Sequence, residues 1–326
     1  MNYVFTCGDP NGIGPEIVIK TLNDAVSSKY RLIFAVPAKV FEEAAKIVKP
    51  KFGYEIVSRL SKINEIKSNV VILNIPGGKI TPGKPTKISG KISYESLVKG
   101  LEILDKKIAS AIITAPISKE AWNSASIKYK GHTDFLGDYY NVKHYVMMFH
   151  SKKMIAALAT IHIPVKDISK KLTKERILKT VRTVHNSLTK DLGITKPEIA
   201  VLGLNPHAGE NGNIGYEELK VITPAISQLG DIANGPFVPD AFFGKHLYKQ
   251  YDAVVGMYHD QVLIPFKMMN FDSGVNYTAG LPVVRTSPDH GTAFDIAYKG
   301  IASHNSMSAA FKLARKIAEN RERDGR

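Results

Sequence analysis

Short apolar runs alternate with amphipathic stretches along the whole of this chain, and that alternation limits the fold more than any other feature. Strand-like runs lie at residues 3–6, 32–36, 70–73, 111–114, 145–149, 155–161, 199–204, 253–257 and 282–286. Helical candidates separate them at residues 16–23, 38–48, 93–106, 174–188, 216–228 and 306–319. This order predicts α/β layers around a mainly parallel sheet. The runs at 145–149 and 154–159 are separated by only residues 150–153 and read as an antiparallel hairpin. Such a break in the βαβ sequence places a second, inserted domain in mid-chain. We expect residues 1–128 with 283–326 to form one α/β/α domain and residues 129–282 another, the two flanking a cleft. The charged end, residues 319–326, is expected to fray.

The chain has 326 residues, 44% of them hydrophobic and 23% charged, which suffices for two cores. No apolar run approaches the roughly 20 residues of a membrane span, so no membrane partner is expected. The first six residues read directly as a strand, with no basic and apolar leader, and a cytoplasmic location is expected. The one cysteine, Cys7, excludes an intrachain disulfide and suits a reducing compartment. A net charge of +14 raises the question of nucleic acid. The lysines are spread over helix-like segments, however, and no nucleic-acid-binding motif accompanies them. They read as a solvated surface that can steer an anionic substrate.

Three histidines stand just after strand-like runs: His162, His207 and His259. In an open α/β sheet the loops at the carboxyl ends of strands line the ligand crevice. Neutral imidazoles suit zinc and similar divalent ions, and three protein ligands leave a position open for substrate. Any one histidine is more often a satisfied surface or core residue than a ligand, and that reading serves for His144, His150, His185, His246 and His304. The three in question sit in polar, loop-like contexts, Asn-Pro-His-Ala-Gly-Glu at 205–210 and Tyr-His-Asp-Gln at 258–261 among them. Position alone leaves both readings open.

Residues 8–16, Gly-Asp-Pro-Asn-Gly-Ile-Gly-Pro-Glu, follow the first strand and open a helix. Gly12 and Gly14 permit a tight turn and close backbone approach, but the spacing matches neither a Rossmann fingerprint nor a phosphate loop. A second turn, Asp-His-Gly-Thr-Ala-Phe-Asp at 289–295, is expected to join a strand to a helix. In Gly-His-Thr-Asp at 131–134, Thr133 is a candidate helix cap or ligand contact. Lys267, Asn276 and Arg285 are isolated polar residues; Arg285, inside a strand-like run, needs an anionic partner if buried.

Together, residues 8–16, 114–119 (Thr-Ala-Pro-Ile-Ser-Lys), 131–136, 205–210, 258–261 and 275–297 resemble the 4-hydroxythreonine-4-phosphate dehydrogenase family of pyridoxal 5′-phosphate biosynthesis. The resemblance runs in order to about Ala302 and implies the fold of isocitrate and isopropylmalate dehydrogenases, which is not a Rossmann fold. By it, His162, His207 and His259 fall on the ligands of one divalent metal, zinc, magnesium or cobalt. His132, Thr133, Lys267, Asn276 and Arg285 fall on substrate-binding positions, at a site shared across a homodimer interface. Gly12 and Gly14, with His290, Gly291, Thr292, Ala293 and Asp295, resemble the glycine turn and cofactor loop of isopropylmalate dehydrogenase.

The reaction so implied is metal-assisted, NAD- or NADP-linked oxidation of 4-phosphooxy-L-threonine at C3. The product, 2-amino-3-oxo-4-phosphooxybutanoate, loses CO2 to give 3-amino-2-oxopropyl phosphate. Lys267, Asp260 or a metal-bound water are the candidates for the base. A carboxylate at Asp295 leans the cofactor toward NAD, since it would repel a 2′-phosphate. Rival readings are a dehydrogenase of the same fold acting on D-threonate or D-erythronate 4-phosphate, a zinc hydrolase, and, from charge alone, a nucleic-acid-binding module.

Overall fold

A computed structural model of the chain describes residues 1–325; Arg326 lies outside the described residues. The strands, in chain order, begin with β1 (Asn2–Thr6), β2 (Arg31–Val36), β3 (Tyr54–Val57), β4 (Val70–Asn74) and β5 (Ala111–Ile113). They continue with β6 (Val146–His150), β7 (Ile155–Leu158), β8 (Ile199–Leu202), β9 (Ala233–Phe237), β10 (Ala253–Gly256), β11 (Val275–Ala279) and β12 (Val284–Pro288). The α-helices begin with α1 (Gly14–Ala25), α2 (Ala38–Ile47), α3 (Lys87–Asp105), α4 (Lys119–Ser124) and α5 (His132–Tyr139). They continue with α6 (Ile168–Lys171), α7 (Lys174–Lys190), α8 (Thr223–Ser227), α9 (Pro239–Gly244), α10 (His259–Asn270) and α11 (Asn305–Arg323). The backbone divides into two units, Met1–Tyr140 with Pro282–Ala318 and Asn141–Leu281 with Glu319–Arg326.

In the first unit the strand order is β3-β4-β2-β1-β5-β12, and every pairing is parallel. Parallel strands need both faces covered, and the sequence supplies continuous apolar runs for it. Leu32–Val36 of β2 and Val70–Leu73 of β4 are almost wholly buried. Each such Val, Leu or Phe contributes about 1.5–3 kcal/mol. Helix α3 starts at a reciprocal cap: Ser89 N donates to Thr86 Oγ1, and Thr86 N donates to Ser89 Oγ, both at 3.0 Å.

In the second unit the order is β11-β6-β7-β10-β8-β9. The expected hairpin is present: β6 pairs antiparallel with β7, Met148 facing Ala157. Strands β7, β10 and β8 are adjacent and parallel, Val254 lying between Ala156 and Ala200. Helix α7 buries Ile177, Val181, Val184 and Leu188, the three-and-four spacing of a core-facing stripe. Phe149, Leu158, Phe242, Val254 and Phe266 share one apolar cluster.

Three strands were not expected. Strand β3 is mostly exposed, β9 carries Gly235 and Pro236, and β11 alternates in polarity through Asn276 and Thr278. The first two stand at edge positions in the strand order, where an edge tolerates Pro and poor burial. The helix expected over 216–228 begins only at Glu218, as a π-helical turn to Ile222 that leads into α8. The chain end corrects the expectation of fraying, because α11 continues to Arg323. Arg321 Nε donates at 2.8 Å to Asp191, a buried carboxylate that also accepts from Ser187 Oγ at 2.9 Å and from Tyr277 OH.

Candidate active site

The strand ends do most to position the histidines. Strands β7, β10 and β8 point the same way, so the loops after them emerge side by side. Side chains then tie those loops together. Thr160 Oγ1 donates to Met257 O at 2.6 Å, joining the β7 loop to the β10 loop. Gln261 accepts from Met257 N at 2.7 Å and donates to Gly203 O at 2.6 Å, joining the β10 loop to the β8 loop.

His162, in the left-handed region at φ 48°, and His259, at the first position of α10, have ring centroids 5.8 Å apart. The sequence placed His259 in a loop; it opens a helix instead, whose internal Pro265 had masked the periodicity. His259 Nδ1 lies 2.7 Å from Asp260 Oδ1. A carboxylate only accepts, so Nδ1 is the donor in this bond, and Nε2 is the nitrogen that a neutral ring would offer to a metal. A cavity of about 240 Å³ opens here, lined by Thr160, His162, Ile163, Ile168, Tyr258 and His259. His207 is exposed, at φ 52°. Among the described residues no three His, Cys, Asp or Glu side chains are gathered closely enough to hold a metal ion. The structure thus brings His162 and His259 together and leaves His207 outside their group. The donor chemistry fits a divalent ion: imidazoles on adjacent loops, one with its tautomer set by a carboxylate.

Lys267 is half-buried on α10, and the half-buried Asn276 of β11 has its Oδ1 enclosed without a hydrogen-bond partner. Both belong to the second unit, whereas His132, Thr133 and Arg285 belong to the first. Arg285 is 3% exposed on β12 and donates from Nε and Nη2 to Thr114 Oγ1. Burial pulls its guanidinium down to about 9, which still leaves it cationic at neutral pH. Burial, and then the Arg285 charge, hold His132 well below the imidazole range, so it is neutral. Its Nε2 is enclosed with no hydrogen-bond partner. Its ring meets Trp122 edge-on at 5.9 Å, and Trp122 Nε1 donates to Ser93 Oγ at 2.7 Å. Thr133 is buried in the first turn of α5 and does not cap it; Gly131 holds the cap position.

The glycine turn and the 289–295 loop meet within the first unit. Ile13 N donates to Thr292 O at 3.0 Å, and a Cβ on Gly12 would stand 2.7 Å from that oxygen. A Cβ on Gly14 would lie 2.2 Å from Cys7 O, so both positions require glycine. The buried Asp9 stiffens the turn, accepting from Asn11 N at 2.9 Å and Ser89 Oγ at 3.0 Å. Burial pushes its carboxyl up to about 6. Burial also drives the Cys7 thiol up to about 12, which makes it inert. His290 Nδ1 lies 3.0 Å from Gly291 O, Ala293 is left-handed at φ 41°, and Asp295 is exposed in the 3₁₀ turn Phe294–Ile296. No helix follows this loop directly, contrary to the expected strand-to-helix turn; α11 begins at Asn305. Sequence reasoning passed over Trp122 and Glu218, since each acts on residues remote in the chain. A lone tryptophan and a Glu-Glu pair were the only signals.

Residues 28–314 match the family model of the pyridoxal phosphate biosynthetic protein PdxA. A 4-hydroxythreonine-4-phosphate dehydrogenase from Sulfurihydrogenibium sp. (strain YO3AOP1) is 41% identical over 319 residues, covering 96% of this chain and 97% of the relative. A crystal structure of 4-hydroxythreonine-4-phosphate dehydrogenase from Klebsiella pneumoniae superposes with a TM-score of 0.84 at 34% identity, over 97% of both chains. A terephthalate 1,2-cis-dihydrodiol dehydrogenase from Burkholderia xenovorans LB400 shares the fold, with a TM-score of 0.66 at 23% identity over 97% of this chain and 98% of that one.

Proposed function

This chain belongs to the PdxA family of pyridoxal phosphate biosynthetic proteins, and from that membership we propose that it oxidises 4-phosphooxy-L-threonine at C3. The observation that carries this reading is the full-length match to 4-hydroxythreonine-4-phosphate dehydrogenases. The hydride from C3 passes to a nicotinamide and the hydroxyl proton to a base. The 2-amino-3-oxo-4-phosphooxybutanoate so formed loses CO2 to give 3-amino-2-oxopropyl phosphate.

His162, His207 and His259 would hold the divalent ion, and imidazole donors favour zinc or cobalt over magnesium. A bound ion and nicotinamide supply Lewis acidity at the C3 oxygen and a hydride acceptor. Arg285 brings positive charge to the phosphate and carboxylate in a fixed fork. His132, Thr133 and Asn276 complete the substrate contacts, the enclosed Nε2 of His132 and Oδ1 of Asn276 being suited to polar groups of a ligand. Asp260 is committed to His259 Nδ1, which leaves Lys267 as the residue for proton transfer. Gly12, Gly14 and the loop from His290 through Thr292 to Asp295 receive the cofactor. The exposed Asp295 carboxylate favours the free ribose hydroxyl of NAD.

A homodimer accounts for Ile264, Met268 and Phe271, 59, 82 and 79% exposed and spaced by four and three at the end of α10. Among the described residues no helix is long and apolar enough to cross a membrane, and the reaction belongs in the cytoplasm. The test is NADH formation from 4-phosphooxy-L-threonine beside D-threonate 4-phosphate, with and without a chelator. Chelator-sensitive turnover selective for the amino acid supports the assignment, and preference for the sugar acid overturns the substrate.

A further inference from the structure

The segment carrying His207 is unusual backbone. His207, Ala208, Gly209, Glu210 and Asn211 all have φ between 42° and 77°, a left-handed run that L-residues rarely follow. At its ends the run is closed by backbone bonds from Ala208 N to Asn205 O at 3.1 Å and from Asn213 N to Glu210 O and Ile214 N to Gly209 O, both at 3.2 Å. A buried group outside the run packs against it.

That group is Glu218, 3% exposed at the start of the π-helical turn. Its Oε1 accepts from Leu204 N at 2.7 Å and Asn205 N at 2.8 Å, and its Oε2 accepts from Asn205 Nδ2 at 2.9 Å. The run folds against this carboxylate. A Cβ on Gly209 would lie 2.6 Å from Glu218 Oε2, and one on Gly203 would lie 3.2 Å from Oε1. The neighbouring Glu217 extends the clamp, accepting from Asn205 Nδ2 at 2.8 Å and from Ser169 Oγ at 2.5 Å. Ser169 follows Ile168, which lines the cavity beside His162. One pair of carboxylates therefore ties the His207 turn to the segment that follows His162.

We propose that Glu218 is a positioning residue for His207, its buried carboxylate fixing the left-handed turn so that the imidazole is presented to a metal shared with His162 and His259. This rests on the reading of His207 as a ligand. A π-helical turn suits the role, because the extra residue per turn aims a side chain that a regular helix would direct elsewhere.

The experiment compares the full chain with E218A, E218Q and H207A. Cobalt(II) chloride is the probe, read by equilibrium dialysis and visible absorption, alongside hydrogen exchange of residues 204–214 in the metal-free proteins. E218A is expected to weaken cobalt binding about 10–100-fold, as loss of groups orienting a ligand does, to alter the ligand-field bands and to speed exchange through the turn. E218Q keeps an amide oxygen for Leu204 N and Asn205 N but sets a donor against Asn205 Nδ2. It should restore most of the affinity, with a residual loss of about threefold. Wild-type cobalt affinity, spectrum and exchange in E218A would overturn the positioning role while H207A still loses cobalt. Unchanged cobalt binding in H207A would instead overturn the ligand assignment, and the positioning role with it. Should E218A lose its far-ultraviolet dichroism, E218Q decides: weakened binding with faster exchange supports the role, and unchanged values for both overturn it.

Discussion

Arg285 donates two hydrogen bonds, from Nε at 3.0 Å and Nη2 at 2.8 Å, to the single hydroxyl of Thr114. A threonine thus sets the plane of a buried guanidinium. Thr114→Val keeps the volume and removes the acceptor. A hydrogen bond to a charged group contributes about 1.5–3 kcal/mol, so KM for the phosphorylated substrate should rise roughly tenfold or more. Arg285→Ala should raise it further. Steady-state kinetics check both, and an unchanged KM in Arg285→Ala would remove Arg285 from substrate binding.

His207→Ala should leave the fold in place, because the side chain is exposed. Turnover should fall by at least about two orders of magnitude, as expected for loss of a metal ligand. Metal content of the purified variant is the companion measurement. Wild-type metal and turnover together would sink the ligand assignment.

Gly12→Ala sets a methyl group 2.7 Å from Thr292 O. Overpacking of this kind costs about 1–3 kcal/mol. If the turn receives the cofactor, KM for the nicotinamide should rise about tenfold while KM for the phosphorylated substrate holds. An equal rise in both would place the turn elsewhere in the reaction.

Asp9 titrates at about 6 because burial disfavours its charged form. The folded state then holds a proton that the unfolded chain releases nearer pH 4. The stability this contributes is present below the unfolded value and is lost as pH rises through 6. Its size is about 3 kcal/mol by linkage. Asp9→Asn removes the titration. Urea unfolding should show the variant gaining on the parent between about pH 4 and pH 7, and a pH-independent difference would contradict the assignment.

Phe271→Asp places a charge on the apolar stripe of α10, where Phe271 is 79% exposed. Sedimentation should show a dimer for the parent chain and mainly monomer for the variant. An unchanged sedimentation coefficient would move the interface off this helix.

The sequence exposes the buried strands well because a parallel sheet needs uninterrupted apolar runs, and β1, β2, β4, β8 and β10 have them. It hides β3 and β9, where an edge position makes exposure and Pro236 acceptable. The histidine loops at 205–210 and 258–261 are visible as polar breaks after strands. What they bind to is not, since Thr160 reaches Met257 and Glu218 reaches Leu204 across the fold. Thr133 shows the same limit: a helix start is legible, but which residue caps it depends on where the backbone turns.

Four of the five residues from His207 to Asn211 are not glycine, yet all take the conformation that glycine adopts freely. Each such L-residue costs roughly 1–2 kcal/mol, and the sum rivals the net stability of a whole domain. Glycine at His207, Ala208, Glu210 and Asn211 would relieve much of it. The run therefore spends stability to present four side chains, and glycine substitution there should trade those side chains for a more stable fold.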